Sequence, residues 1–160
     1  MLRTWSGVFR STVVPDAPSP EGSARLAGTW RVLSVDTEFQ SSGKKEPTFG
    51  PGPNGFFVFT PEGRVIALVT AREREAGNSP EQLAALQRTV MAYSGPFRMD
   101  GDKLTIDVDI SSNQTWTGSA QERYIKIAGD SMEMVTPWMA SPFHADRPMV
   151  RGVLTLKRAQ

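Results

Sequence analysis

The stretch Trp30-Arg31-Val32-Leu33-Ser34-Val35-Asp36-Thr37-Glu38-Phe39 decides how the rest of the chain is read. It is dense in β-branched and aromatic residues and alternates in part between apolar and polar, which suits a pleated surface with one buried face. It predicts a long strand opening just after Gly28. On its C-terminal side a loop runs over residues 41–54 and ends in the glycines and prolines of Gly50-Pro51-Gly52-Pro53. On its N-terminal side, residues 1–22 read as an arm: Pro15, Pro18 and Pro20 sit among Asp16, Ser19 and Gly22, a composition that favours an extended path. Trp5, Val8 and Phe9 are unusual in a free tail and predict that the arm packs on the main body or on a second subunit, making it a route to a homo-oligomer.

Strands continue down the chain. Residues 56–60 and 64–70 flank Pro61-Glu62-Gly63, whose proline and glycine supply turn geometry, so the two form a hairpin. Ser79-Pro80-Glu81-Gln82 places serine at an N-cap, proline at the first helical position and glutamine three residues after the cap. Leu83, Leu86 and Val90 then recur at helical spacing, predicting a helix over 80–92 with one apolar stripe laid on the body. Strands at 97–99 and 103–110 flank Asp100-Gly101, and strands at 116–127 and 131–135 flank Gly129-Asp130. A proline-rich loop follows over 136–148, and a last strand at 149–158 is expected to pair with the first. The fold class is therefore all-β: an eight-stranded antiparallel up-and-down barrel with one helical insertion and an N-terminal arm. Closure removes exposed edges and leaves an interior wide enough for one small ligand. An open sandwich is the competing architecture. At 160 residues the chain suits a single core, placed over 23–160.

Composition excludes several functions. With 18 basic and 17 acidic residues there is no positive excess to neutralise phosphates, so no nucleic-acid partner is expected. Cysteine is absent, which removes disulfides, thiolate catalysis and thiolate metal sites and fits a reducing, cytoplasmic compartment. His144 is the single histidine, so no metal site of several imidazoles can form, and a metal-free, cofactor-free protein is expected. No run of about 18 apolar residues occurs, and Arg10 interrupts the position where a secretory leader would be apolar, so no membrane partner is expected. The glycine-rich loop at 50–55 carries prolines that remove the backbone donors a phosphate would need.

Gly28-Thr29-Trp30 resembles the opening strand of lipocalin-type barrels, and the chain is more specifically similar to the lipocalin-like domain family of small single-domain bacterial and fungal proteins. The similarity runs through Phe59-Thr60-Pro61-Glu62-Gly63, Tyr93-Ser94-Gly95, Trp116-Thr117-Gly118, Gln121-Glu122-Arg123-Tyr124 and Gly129-Asp130-Ser131-Met132, over roughly residues 26–158. It implies a barrel with an indole at its floor, and it places Gln121 and Arg123 among the family's regular features. One position departs: Asp107 stands where the family tends to carry a histidine.

The candidate site residues follow from strand periodicity. Asp107 and Asp109 share one face of their strand, and Ile106, Val108 and Ile110 share the other. Either the aliphatic residues fill the barrel and the carboxylates meet water, or the aspartates line the cavity opposite Gln121 and Arg123, which share a face on the next strand. In the second arrangement Arg123 can take a ligand carboxylate or enolate by a two-pronged contact. A cavity aspartate, its pKa raised by burial, can then serve as a base for cyclisation, isomerisation or dehydration. Asp107, Asp109 and Arg123 are thus the catalytic candidates. Trp30, Phe57, Phe59, Tyr93, Phe97 and Trp116 are candidate pocket walls, and Trp138, Phe143 and His144 lie on a loop able to cap the mouth. Asp36, Glu38 and Glu133 are read as solvent-facing carboxylates. The leading expectation is binding of a small hydrophobic or amphipathic molecule; the alternatives are a cofactor-independent enzyme and a scaffold that associates through its arm.

Overall fold

The computed structural model describes residues 20–141 and 144–159. Its strands are β1 (Gly28–Phe39), β2 (Lys45–Pro47), β3 (Asn54–Phe59), β4 (Arg64–Thr70), β5 (Val90–Asp100), β6 (Lys103–Asp107), β7 (Ile110–Ser111), β8 (Ala120–Ala128), β9 (Ser131–Val135), β10 (Met139–Ala140) and β11 (Met149–Arg158). Two helices accompany them, α1 (Pro20–Leu26) and α2 (Pro80–Gln87). Eight strands run β1-β3-β4-β5-β6-β8-β9-β11, and β11 pairs back onto β1 from Trp30↔Arg158 to Phe39↔Val150, closing an antiparallel barrel. The three short strands extend interrupted ladders: β2 pairs with β1 beyond β3, β7 with β5 beyond β6, and β10 with β11 beyond β9. The eight barrel strands are those expected, and the last does pair with the first.

Closure decides which side chains meet. Trp30, Val32, Phe57, Phe59, Val65, Ala67, Val69, Tyr93, Phe97, Leu104, Ile106, Met132, Met134 and Leu156 form one buried cluster inside the barrel. Along β1 the alternation breaks. The pairing with β11 slips between Val32 and Ser34, so Leu33 stands 45 % exposed while Val32 and Val35, three residues apart, are both buried. A bulge of this kind swaps the faces of everything downstream. Asp36 and Glu38 therefore leave the face that Trp30 occupies.

The floor is sealed by contacts from both ends of the barrel sequence. Trp30 Nε1 donates to Leu26 O at 2.8 Å. The Arg158 guanidinium lies 4.2 Å from the Trp30 ring centroid and donates to Ala27 O at 2.9 Å and to Arg25 O at 3.1 Å, satisfying carbonyls that the end of α1 leaves open. Gly28 has φ +119°, and a Cβ there would stand 3.1 Å from Arg158 Nη1, so the turn from α1 into β1 requires glycine.

Three local expectations are corrected. Residues 20–22 were placed in the arm but begin α1; Ser19-Pro20-Glu21 repeats the Ser79-Pro80-Glu81 signal that announces α2. The capping box at Ser79 and Gln82 forms as expected, yet α2 stops at Gln87, because Thr89 turns its hydroxyl onto Leu86 O and Ala71 N pairs with Thr89 O. Val90 belongs to β5, α2 buries no residue and Leu83 is 53 % exposed, so the apolar stripe does not dock. Trp116 ends a 3-10 turn capped by Asn113, and the following strand starts only at Ala120. Trp5, Val8 and Phe9 lie outside the described residues, as does Phe143.

Candidate functional site

Five aromatic side chains pack in edge-and-face contact in and against the barrel core. Phe97, whose amide donates to Gly63 O in the β3–β4 turn near the floor, meets Phe59 at 5.3 Å between ring centroids. Phe59 stacks on Phe57 at 6.4 Å, Phe57 meets Tyr93 edge-on at 6.1 Å, and Tyr93 meets Trp116 edge-on at 6.0 Å. The registers Phe57↔Ala67 and Ala67↔Tyr93 explain the third contact: one small residue on β4 lets rings from β3 and β5 touch across it. Phe57, Phe59, Tyr93 and Phe97 are thus brought together in the buried core, with Trp116 partly buried against them. Trp30 sits with them in the core but is committed to the floor.

Gln121 and Arg123 lie on the inward face of β8, because their cross-strand partners Ile106 and Leu104 are fully buried on β6. Arg123 is 8 % exposed and is the only charged side chain among the buried described residues. Its Nη1 donates to Glu122 O at 2.7 Å; among the described residues it has no carboxylate partner. A guanidinium has five N–H donors, so most of its capacity is unused. Ser23 Oγ is the one fully enclosed side-chain polar atom without a partner among the described residues. Gln121 Nε2 donates to Ser119 Oγ at 3.0 Å at the mouth end of β8.

The two aspartates do not join this group. Leu104, Ile106 and Val108 fill the interior, and strand periodicity then turns Asp107 and Asp109 outward. Asp107 pairs with Arg98 on the outer wall. Asp109 accepts from Arg64 Nη1 at 3.0 Å and Nη2 at 2.6 Å, and Arg64 Nη1 also donates to Ser94 Oγ at 2.9 Å. The Arg64 hydrogen bonds hold the Asp109 carboxyl below the ordinary carboxylate value, the reverse of the shift a general base would need. Of the two arrangements that strand periodicity leaves open, the structure has the first: aliphatic side chains fill the interior and both aspartates sit in ion pairs outside it, because burying two carboxylates beside a single cation costs more.

The remaining candidates lie apart from the aromatic line. Trp138 packs beneath Arg151, whose guanidinium carbon is 4.6 Å from the ring centroid, and Arg151 Nε donates to Glu38 at 2.8 Å. That bond lowers the Glu38 pKa, against an opposing push from desolvation. His144 is exposed, meets Phe39 edge-on at 5.5 Å and shares a hydrogen bond with Ser141 at 2.8 Å. Both residues therefore brace the rim near β1 and β11. A cavity of about 560 Å³ opens at the mouth between Phe49–Gly52 and Ala71–Glu73. Arg72 Nε donates to Gly52 O at 2.8 Å and ties its two walls together. Sequence reasoning assigned this place no role; its one signal was the glycine-proline run ahead of β3.

The lipocalin-like domain family matches residues 27–159. Among curated proteins, the 4'-hydroxy-3'-methoxypropiophenone carrier protein ppsC of Aspergillus oryzae (strain ATCC 42149 / RIB 40) is 34% identical over 64 residues, covering 35% of this chain and 58% of that protein. The match spans little more than half of that relative's length. Among solved structures, an uncharacterized protein from Bacteroides eggerthii DSM 20697 is similar over 82% of this chain and 98% of its own, at 10% identity and a TM-score of 0.42.

Proposed function

Since the chain belongs to the lipocalin-like domain family, we propose that it binds and carries a small hydrophobic or amphipathic organic molecule in the bore of its barrel. The observation that carries this reading is the continuous line of aromatic rings from Phe97 near the floor to Trp116 below the mouth. Trp116, the one of these rings that is only partly buried, offers flat apolar surface for a ligand to stack on. The cargo named for the relative, a hydroxy-methoxy-propiophenone, is a single ring with polar substituents and matches that surface in kind. Carriage is favoured over turnover because no carboxylate is buried among the described residues, while Asp107 and Asp109 are held in ion pairs on the outer wall.

The test is a fluorescence titration with the neutral probe N-phenyl-1-naphthylamine. Binding with enhanced, blue-shifted emission is expected, and Trp116→Ala should weaken it by about tenfold, the loss of one aromatic wall. A wild-type protein that leaves the probe's emission unchanged refutes the reading.

A further inference from the structure

Arg123 is buried with one hydrogen bond to a backbone carbonyl and no carboxylate partner among the described residues. A guanidinium taken out of water costs several kcal/mol unless paired, and the barrel offers it one carbonyl and no carboxylate. The arginines that the structure does show in an ion pair, namely Arg64, Arg98, Arg151 and Arg158, have their acids at or outside the wall. The cation at position 123 thus points into an otherwise uncharged interior with donors left over.

We infer that the ligand of this barrel is an organic oxyanion, a carboxylate or the conjugate base of a phenol or enol, whose charged oxygen is taken by Arg123 while its apolar body lies along the aromatic line. This rests on the binding reading above and adds the charge of the ligand to it. The guanidinium meets such a group with parallel N–H donors, and beside the buried Leu104 and Ile106 of the neighbouring strand that contact is stronger than it would be in water. A neutral ligand of the same shape leaves the buried cation as it was. A cationic one adds repulsion to it. Gln121, one inward position nearer the mouth, is placed to donate to a second oxygen or to accept from a substituent hydroxyl.

The test uses the full chain loaded with N-phenyl-1-naphthylamine and displaced by two molecules of equal shape, 2-naphthoate and 2-naphthamide. Wild-type protein should prefer the carboxylate by about tenfold or more, the worth of a charge-assisted contact. Arg123→Gln should bring the two within about twofold of each other, and Arg123→Lys, which keeps the charge without the fork, should fall between. Arg98→Gln, on the outer wall, should leave the wild-type ratio intact. A second arm titrates 4-nitrophenol and follows phenolate absorbance: if the site takes phenolates, the bound phenol ionises at lower pH than the free one, and the shift disappears in Arg123→Gln. A preference in the first arm alone identifies carboxylates, and a shift in the second alone identifies phenolates. Displacement by both naphthalenes at equal concentration, with no shift for the phenol, overturns the inference while leaving the binding reading standing. Failure of the probe to bind at all removes both. Circular dichroism and a cooperative melt of Arg123→Gln separate a lost preference from a lost fold.

Discussion

At the scale of single residues, the barrel separates side chains that hold the fold from side chains that burden it. Trp30 and Arg158 belong to the first kind, since each satisfies the other's surroundings. Arg123 belongs to the second. Replacing a buried, unpaired cation by an unbranched apolar side chain of similar length removes a desolvation cost and leaves no orphaned acid behind. Arg123→Met is therefore expected to raise stability by about 1–4 kcal/mol, or by several degrees in melting temperature for a chain of this size. Most core substitutions go the other way. A drop in the urea midpoint of Arg123→Met would show that the guanidinium is structural after all. The same contrast explains what the sequence could and could not disclose here. Spacing placed Gln121 and Arg123 on one face, and placed Asp107 and Asp109 on one face, but a period of two does not say which face is inside. That choice was made by the volume of Leu104, Ile106 and Val108 competing for the bore.

At the scale of elements, the break between β6 and β7 shows how the outer wall is tied. Gly95 on β5 approaches so closely that a Cβ there would lie 2.0 Å from Asp107 O, and the ladder resumes only where Asp109 N donates to Ser94 O at 3.0 Å. The two-bonded Arg64–Asp109 pair spans this gap. A carboxyl whose pKa is depressed in the folded state contributes stability above its unfolded value, about 3.9, and loses that contribution as the pH falls through the lower folded value. The urea midpoint should thus decline as the pH falls below the unfolded carboxylate value, and Arg64→Met should make the decline shallower, though modestly because the pair is half exposed. An equally steep decline in the variant would mean that Asp109 owes its ionisation to something else. Elements were legible in the sequence where turn residues bracketed an alternating run, as at Pro61-Glu62-Gly63 and Gly129-Asp130. They were misjudged where helical spacing ran on by chance: Leu83, Leu86 and Val90 fit a stripe, but only the first two lie on α2, and neither is buried. The β1 bulge left a trace as well, since Val32 and Leu33 are adjacent and apolar, which a strictly alternating strand would not allow.

At the scale of the whole molecule, the barrel's two ends carry different duties. The floor joins the first and last barrel strands through Trp30, Arg158 and the carbonyls ending α1, so it ties together residues far apart in sequence. The mouth gathers loops around Trp116, the rim residues Trp138 and His144, and the cavity between Phe49–Gly52 and Ala71–Glu73. Barrel closure depends on the first set, and on the proposed binding reading access of a ligand depends on the second. Arg158→Met removes two charge-assisted bonds to backbone carbonyls and the contact with the indole, which together stabilise the fold by about 2–4 kcal/mol. It should lower the unfolding midpoint accordingly, while affinity for N-phenyl-1-naphthylamine stays within about twofold of wild type, because Arg158 is held at Trp30 and the carbonyls ending α1 rather than at Trp116, where the ligand is proposed to stack. Trp116→Ala should show the opposite pairing, a small loss of stability with a large loss of affinity. If Arg158→Met weakens probe binding as strongly as Trp116→Ala does, floor and mouth form one cooperative unit, and the aromatic line is better described as the core of the barrel than as its binding surface.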